Sequence, residues 1–518
     1  MKFRPFIIFI LLAFIACGLM SGLLYSVNLK LSSDHVVPGL VAMEVLRHGN
    51  FQYDFPAEDP YLFTDVYTFY LIPQILTGFS PLALKLTAYV VFLLTLVTFS
   101  YIVYRYAGLI SALIFAALLT TISQSAYFYF LSPEYHVGTL LATGVLILLF
   151  DPERVKGISN RRLAAYLALT SLIMLSDNLL LAYFVIPYVV CYLIFFRLKK
   201  SGDTVKASKK ALAEMTRQAK KMDIIVILLV VSSAVVYLYK RFQPLILTDI
   251  LPRFLHKPMP LVSFDPLILY RVSLYFLSIT TLVRKDLFDI LVGQVTIPVV
   301  VFGLVFLLVL GYSLIKVCRK AAYLPVILLS SFGLMLVAYI FTTYVEDIVG
   351  TRFLILSAVA IFAVIALAFD EKEEKGNSNL LFLAVIGILL LATLPGTYAS
   401  ISALTYQPDD EKYRAITYLE DHNATFGYSD YDNANLLTYL SNERVTLRLV
   451  KHNEDGFSEN VWLASDRWWS EGIPDKYVVV MSKSGELYSY MGSYVQSYPP
   501  GDTLNFENYT ILTYDLTE

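Results

Sequence analysis

The chain has 518 residues, of which 57% are hydrophobic and only 16% charged, well below the roughly 25% of a soluble domain. With a mean hydropathy of +0.62, its apolar surface cannot be hidden in one aqueous core, and lipid is the solvent that removes the difficulty. The formal net charge is -2 and there is no long basic tract, which excludes a nucleic-acid partner.

The first apolar run, near 5–27, follows Lys2 and Arg4. It is longer than the apolar core of a signal peptide, so it reads as an uncleaved first helix, although Phe14-Ile15-Ala16-Cys17 resembles a weak lipoprotein cleavage box. Further spans are predicted near 82–103, 107–128, 137–150, 162–176, 179–196, 223–240, 294–315, 323–342, 352–369 and 380–400. That makes about eleven, each needing about 20 apolar residues, with the fourth and fifth short. Lys2, Arg4, Arg105, Arg154, Lys156, Arg161, Arg162, the basic cluster between 197 and 221, and Lys316, Arg319 and Lys320 all fall on one side of this threading. Basic loops stay inside, so the N-terminus is expected inside and the C-terminus outside. Cys17, Cys191 and Cys318 all avoid the segments assigned to the outside, as fits a prokaryotic cytoplasmic membrane and a disulfide-free exported part.

Three outer segments are then long: 28–81, 241–293 and everything after about 400. Residues 1–400 form the membrane module, and 401–518 read as a small extracytoplasmic α/β domain. Within it, Asp409 to Asp421 and Asp432 to Ser441 have helical periodicity, while Thr425 to Ser429, Val445 to Val450, Tyr477 to Met481 and Tyr509 to Tyr514 read as strands. Two glycosylation sequons, at Asn423 and Asn508, fall in the same segment. Its role is either a stabilising cap or a substrate-binding surface.

The ionisable residues gather at one water–lipid boundary. Lys85, His136, Asp177 and Arg352 each sit near the outer end of a predicted helix, and Asp34 lies just beyond the first. A transporter more often places such groups near the midplane, so this distribution suits interfacial chemistry. After Ser33-Asp34-His35, the residues Val37, Leu40, Val41, Glu44 and Val45 recur at helical spacing before Gly49, which predicts a short amphipathic surface helix. Asp34 either caps that helix, acts as a general base toward a hydroxyl at the helix start, or does both. Glu58 and Asp59 fit a solvated turn. Glu134 and His136 suit substrate orientation, a divalent metal or a structural pair, and Asp177-Asn178 reads as a tight turn. The second long loop carries Lys240, Arg241, Arg253, Lys257, Arg271, Arg284 and Lys285, basic groups that suit either general headgroup anchoring or a lipid phosphate. Arg352 offers a fork of donors for the same purpose.

The chain resembles the GT-C-fold integral membrane glycosyltransferases, which use lipid-phosphate-linked sugars and include protein O-mannosyltransferases and aminoarabinose transferases. Four stretches carry the likeness: Ser33-Asp34-His35 through Leu46-Arg47-His48-Gly49-Asn50, Thr77-Gly78-Phe79-Ser80-Pro81-Leu82-Ala83-Leu84-Lys85-Leu86, Gly350-Thr351-Arg352-Phe353-Leu354, and Gly427-Tyr428-Ser429-Asp430-Tyr431-Asp432. The resemblance implies a mainly α, GT-C-like transmembrane bundle. It implies Asp34 as catalytic base, Glu134 at the second acidic position, and Lys85, Arg352 and the basic loop with Arg253 and Lys257 as donor-phosphate ligands; His35 falls in the first of those stretches, and His136 stands two residues after Glu134 as a further substrate-binding candidate. The first loop departs from metal-dependent members in having no clear DxD, so no cofactor is assured and a divalent metal stays open. The expected function is transfer of a sugar from a polyprenyl-phosphate donor to a glycan, lipid or protein acceptor at the outer membrane face. The alternatives are a flippase of lipid-linked sugars and a non-catalytic envelope glycan-binding protein, for which Trp462, Trp468 and Trp469 could stack on sugars.

Overall fold

The structure is a computed structural model that describes residues 4–49, 62–133, 136–151, 158–194, 222–239, 267–283, 289, 291–293, 296–320, 322–341, 348–369, 377–403, 410–453, 456–459, 467, 472 and 474–515. In chain order the helices begin with α1 (Arg4–Asn28), α2 (Ser33–Met43), α3 (Leu71–Leu76), α4 (Pro81–Ala107), α5 (Leu109–Thr120) and α6 (Gln124–Leu131). Then come α7 (Val137–Leu149), α8 (Asn160–Ser176), α9 (Ile186–Tyr192), α10 (Met222–Tyr239), α11 (Ile268–Val283) and α12 (Ile297–Lys320). The remainder are α13 (Tyr323–Phe341), α14 (Ile355–Ala368), α15 (Asn377–Ala403), α16 (Asp410–Asp421), α17 (Tyr431–Leu440), α18 (Glu486–Ser489) and α19 (Met491–Ser497).

Two compact units divide the chain. One comprises Met1–Ser26, Ala88–Lys240 and Pro258–Ala403, the other Val27–Thr87, Arg241–Lys257 and Leu404–Glu518.

Among the described residues, six helices are long and apolar enough to cross a membrane: Arg4–Asn28, Pro81–Ala107, Met222–Tyr239, Ile297–Arg319, Tyr323–Phe341 and Gly350–Ala368. The apolar pair α5 and α6 is bent by 104° at its break, as in a broken span or a re-entrant loop, and four shorter apolar helices cover Val137–Leu149, Leu181–Tyr192, Ile268–Val283 and Asn379–Thr393. This is a multi-pass membrane protein. Leu, Ile, Val, Phe and Ala fill these helices nearly all round, as a backbone that must satisfy itself in hydrocarbon requires. The Gly350–Ala368 span is 89% buried within the protein, so it forms the centre of the first unit, packed against α12, α5 and α13. The span expected near 162–176 is α8, which starts where the Ser159 side chain caps Arg162 N–H. The helix α11 lies inside what the sequence assigned to an outer loop. Its Arg271 interrupts the apolar run, yet that side chain is buried, so the interruption lies inside the fold rather than in solvent.

In the second unit a six-stranded sheet has the order β3-β2-β1-β4-β6-β5. The strands are β1 (Phe426–Ser429), β2 (Thr446–Asn453), β3 (Gly456–Glu459), β4 (Lys476–Ser482), β5 (Asp502–Phe506) and β6 (Tyr509–Asp515). The central strand β1 runs parallel to β2 and β4, while β3, β5 and β6 pair antiparallel with their neighbours. Parallel neighbours need a crossover, and α17 supplies it between β1 and β2. The first loop helix α2 packs on α17. At Gly39 a Cβ would lie 2.1 Å from the Tyr439 ring, so only glycine permits that approach. Beyond it the Tyr439 hydroxyl donates to Gln74 Oε1 at 2.7 Å, tying α17 to α3 as well.

Candidate active site

At the start of α2 the capping role belongs to Ser32, not to Asp34. The Ser32 hydroxyl accepts from His35 N–H at 3.4 Å, and His35 Nδ1 accepts from Ser32 N–H at 3.2 Å. This reciprocal box satisfies two of the donors that every helix start leaves open. Asp34 is therefore in the first turn, and the cap is Ser32. Tyr431, the first residue of α17, donates its hydroxyl to Asp34 Oδ1, and the Ser33 hydroxyl donates to the Tyr431 carbonyl. Asp34 is half-buried. The helix ends as expected, with Gly49 at φ 68 and its N–H donating to the Glu44 carbonyl.

His35 is buried, and desolvation pulls its pKa down to about 4, with the Lys85 charge adding to the fall against a backbone hydrogen bond that raises it. The imidazole is neutral near neutral pH and serves the helix cap. Lys85 donates from Nζ to the Val27 carbonyl at 3.4 Å. Facing α2, the start of α17 is held by Asp430, whose Oδ1 accepts from the backbone N–H and the side-chain amide of Asn433 at 3.2 and 2.7 Å. Burial pushes the Asp430 carboxyl up to about 6, only partly offset by those bonds. Lys412 donates to Asn433 Oδ1 at 2.8 Å and to the Tyr509 hydroxyl at 2.5 Å, and burial lowers its pKa.

A second acidic group closes the far end of α2. Glu44 is buried and accepts from Arg467 at 2.8 and 3.2 Å. Glu443 takes Arg47 at 2.8 Å, His48 at 3.5 Å and Arg467 at 3.8 Å. The ligand atoms of Glu44, His48 and Glu443 lie within 4.8 Å of one another, but two arginines already balance both carboxylates. The network is complete as an ion-pair cluster.

In the first unit a different constellation forms around Phe353. His136, in left-handed backbone at φ 53, sets its Nδ1 at 2.7 Å from Asp177 Oδ2. The same carboxylate accepts from Thr139 at 2.6 Å and from Leu179 N–H at 2.9 Å. The His136 ring lies 5.5 Å from the Phe353 ring, and the Arg352 guanidinium lies 5.1 Å from that ring's centroid. Tyr183 fixes the Phe353 carbonyl at 2.7 Å, and Thr351 joins Ser278 at 2.8 Å. His136 and Arg352 are thus brought together. Glu134, Arg253 and Lys257 lie outside the described residues, as do Glu58 and Asp59 and the tryptophans Trp462, Trp468 and Trp469.

No protein-family model matches the sequence, and no curated protein matches it either. Solved structures do match. ArnT from Cupriavidus metallidurans in the apo state is similar at a TM-score of 0.58 and 10% identity, over 98% of this chain and 98% of that chain. The same protein bound to undecaprenyl phosphate gives 0.54 at 10% identity over 97% of each. The Archaeoglobus fulgidus oligosaccharyltransferase in complex with Zn and sulfate gives 0.51 at 14% identity, over 96% of this chain and 73% of that one. All share one architecture. This chain has the GT-C fold.

Within the GT-C fold, the sequence located Asp34, Lys85, His136 and Arg352 but not their partners. Asp177 reads as a turn residue and does make the turn, its Oδ1 accepting from Leu179 N–H, but its Oδ2 also orients His136. Tyr431 was quoted only as part of a motif, and Arg467 was not singled out. The signal for Asp177 was an acidic residue ending an apolar helix with no basic neighbour in sequence. Such a charge needs a partner from elsewhere in the fold.

Proposed function

We propose that this GT-C protein is a glycosyltransferase that moves a sugar from a polyprenyl-phosphate-linked donor to an acceptor hydroxyl at the outer face of the membrane. Asp34 is the general base. It takes the proton of the acceptor hydroxyl as that oxygen attacks the anomeric carbon, and the bond from that carbon to the phosphate oxygen breaks. The polyprenyl phosphate leaves with the electron pair. Cations that neutralise the developing phosphate charge lower the barrier. Lys85, with Arg253 and Lys257 of the same unit, takes that role, and in the first unit Arg352 offers a guanidinium fork for a lipid phosphate. Glu134 and His136 orient substrate. A divalent cation is compatible with that pair, because an imidazole held at Nδ1 by a carboxylate is the arrangement that fixes metal-ligating histidines, and its chemistry would be charge neutralisation at the phosphate.

The observation that carries this reading is the Asp34 carboxylate, relieved of capping by Ser32 and His35 and half-buried at a helix start. The undecaprenyl phosphate bound to the ArnT neighbour supports a lipid-phosphate donor. The test uses the full chain in nanodiscs with a panel of undecaprenyl-phosphate-linked sugars, reading release of undecaprenyl phosphate. Asp34→Asn should abolish release while leaving undecaprenyl phosphate binding unchanged. Undiminished release would remove Asp34 from the mechanism.

A further inference from the structure

We infer that Tyr431 is a positioning residue for Asp34, so that residues 404–518 set the geometry and charge of the base rather than merely covering it. This rests on the assignment of Asp34 above. The contact is reciprocal: the Tyr431 hydroxyl donates to Asp34 Oδ1 while Ser33, the residue before Asp34, donates its hydroxyl to the Tyr431 carbonyl. One helix start therefore holds both the backbone and the side chain of the other.

Both halves of this clasp stand on fixed elements. Asp430 caps α17 through Asn433, and Ser429, the last residue of β1, donates its hydroxyl to the Val480 carbonyl of β4 at 2.6 Å. Farther along the same two helices, Gly39 against Tyr439 sets their spacing, and Tyr439 bonds to Gln74. The backbone that carries Tyr431 is thereby tied to the sheet.

The chemical consequence follows from the donor. A hydroxyl donating to a carboxylate stabilises the ionised form and holds its pKa down. Loss of the phenol hydroxyl should leave Asp34 rotating and more readily protonated. A bond of this charged type corresponds to roughly a 10- to 100-fold change.

The test compares Tyr431→Phe with Tyr439→Phe in the full chain in nanodiscs. Tyr439→Phe also removes a hydroxyl bond that α17 makes to the 28–81 segment, but one remote from Asp34 along the helix. Two readouts are taken across pH. One is modification of Asp34 by a water-soluble carbodiimide, followed by mass spectrometry, which reports the protonated carboxyl without needing turnover. The other is release of undecaprenyl phosphate from an undecaprenyl-phosphate-linked sugar. Tyr431→Phe should raise the labelling midpoint of Asp34 by about one pH unit, move the acid limb of the rate profile by the same amount, and lower kcat with the donor KM unchanged. Tyr439→Phe should move neither midpoint.

An unchanged labelling midpoint in Tyr431→Phe would overturn the proposal, as would an equal shift in Tyr439→Phe, which would mark the contact as packing alone. If Asp34→Asn still turns over while the labelling shift is present, the base assignment falls and the clasp is only structural. If Asp34→Asn is inactive and Tyr431→Phe behaves as the unaltered protein, the base stands and the positioning role falls.

Discussion

Asp177 and Asp34 are both aspartates flanked by short-side-chain donors, yet the fold uses them differently. Asp177 is fully buried and accepts from His136, Thr139 and the Leu179 amide. Both of its oxygens are engaged, Oδ2 by His136 and Thr139 and Oδ1 by the Leu179 amide. Asp34 is half-buried at a helix start, and its neighbour Ser32 has taken over the cap. Under the proposed function Asp177 is the positioning aspartate and Asp34 the reacting one, and the two differ in burial and in what they hold.

The largest effect that sharpens this contrast is on turnover. Asp34→Asn should reduce sugar transfer by about 100- to 10,000-fold, the range of a lost general base, with the denaturation midpoint in detergent unchanged. Asp177→Ala should act on stability as well as on the orientation of His136. Removing it strands His136 and Thr139 in a buried site, a loss of roughly 3 kcal/mol, read as a lower midpoint in size-exclusion thermal stability assays. If Asp177→Ala were as stable as the unaltered chain, the structural role of its three hydrogen bonds would be wrong.

A second contrast separates His35 from Asp430, and it appears as pH dependence. His35 has a folded pKa of about 4 against 6.5 unperturbed. The unfolded chain therefore binds the extra proton first, and stability is lost as pH falls below about 6.5, by up to about 3 kcal/mol once pH reaches the folded value. Asp430 has a folded pKa of about 6 against 3.8, so the folded form binds the extra proton and stability falls as pH rises between those values. The slopes oppose each other. His35→Gln retains a side chain suited to the capping box and should flatten the acid-side loss, whereas Asp430→Asn should leave that loss and steepen it. Urea denaturation midpoints between pH 4 and 7 measure both.

Much of the architecture was legible because apolar runs and period-two alternation are local properties. The Gly49 terminator, the helices α16 and α17 and the strands β1, β2, β4 and β6 fall within a few residues of their expected positions, whereas the short helices α18 and α19 were not expected. The strands β3 and β5 were not read, because four or five residues carry too little alternation, and α11 was hidden by Arg271 inside its apolar run. The site was half legible. Residue type singled out Asp34, but Ser32, Ser33 and Asp34 are all good caps, and only the register of the first turn decides which one serves. Its partner Tyr431 is 397 residues away, a pairing set by how α2 docks on α17 and not by anything near Asp34 in sequence.

The smallest expected effect tests the ion-pair cluster at the other end of α2. Arg467 and Arg47 both reach Glu443, yet they should not be equivalent. The Arg467 side chain is 20% exposed and grips Glu44, which is 3% exposed, whereas Arg47 is 32% exposed. Removing Arg467 leaves a buried carboxylate beside a second one with less charge compensation, so Arg467→Ala should lower stability by about 2 kcal/mol. Arg47 is partly solvated, and Arg467 remains to answer Glu443 when it is lost. Arg47→Ala should therefore change the midpoint by less than about 1 kcal/mol. Adding zinc to Arg467→Ala is the sharper arm. Glu44, His48 and Glu443 keep their ligand atoms close, and if the arginine is what makes the cluster self-sufficient, only the variant lacking it should gain stability from the cation. Equal stabilisation of the unaltered chain would show that the arginines do not close the cluster.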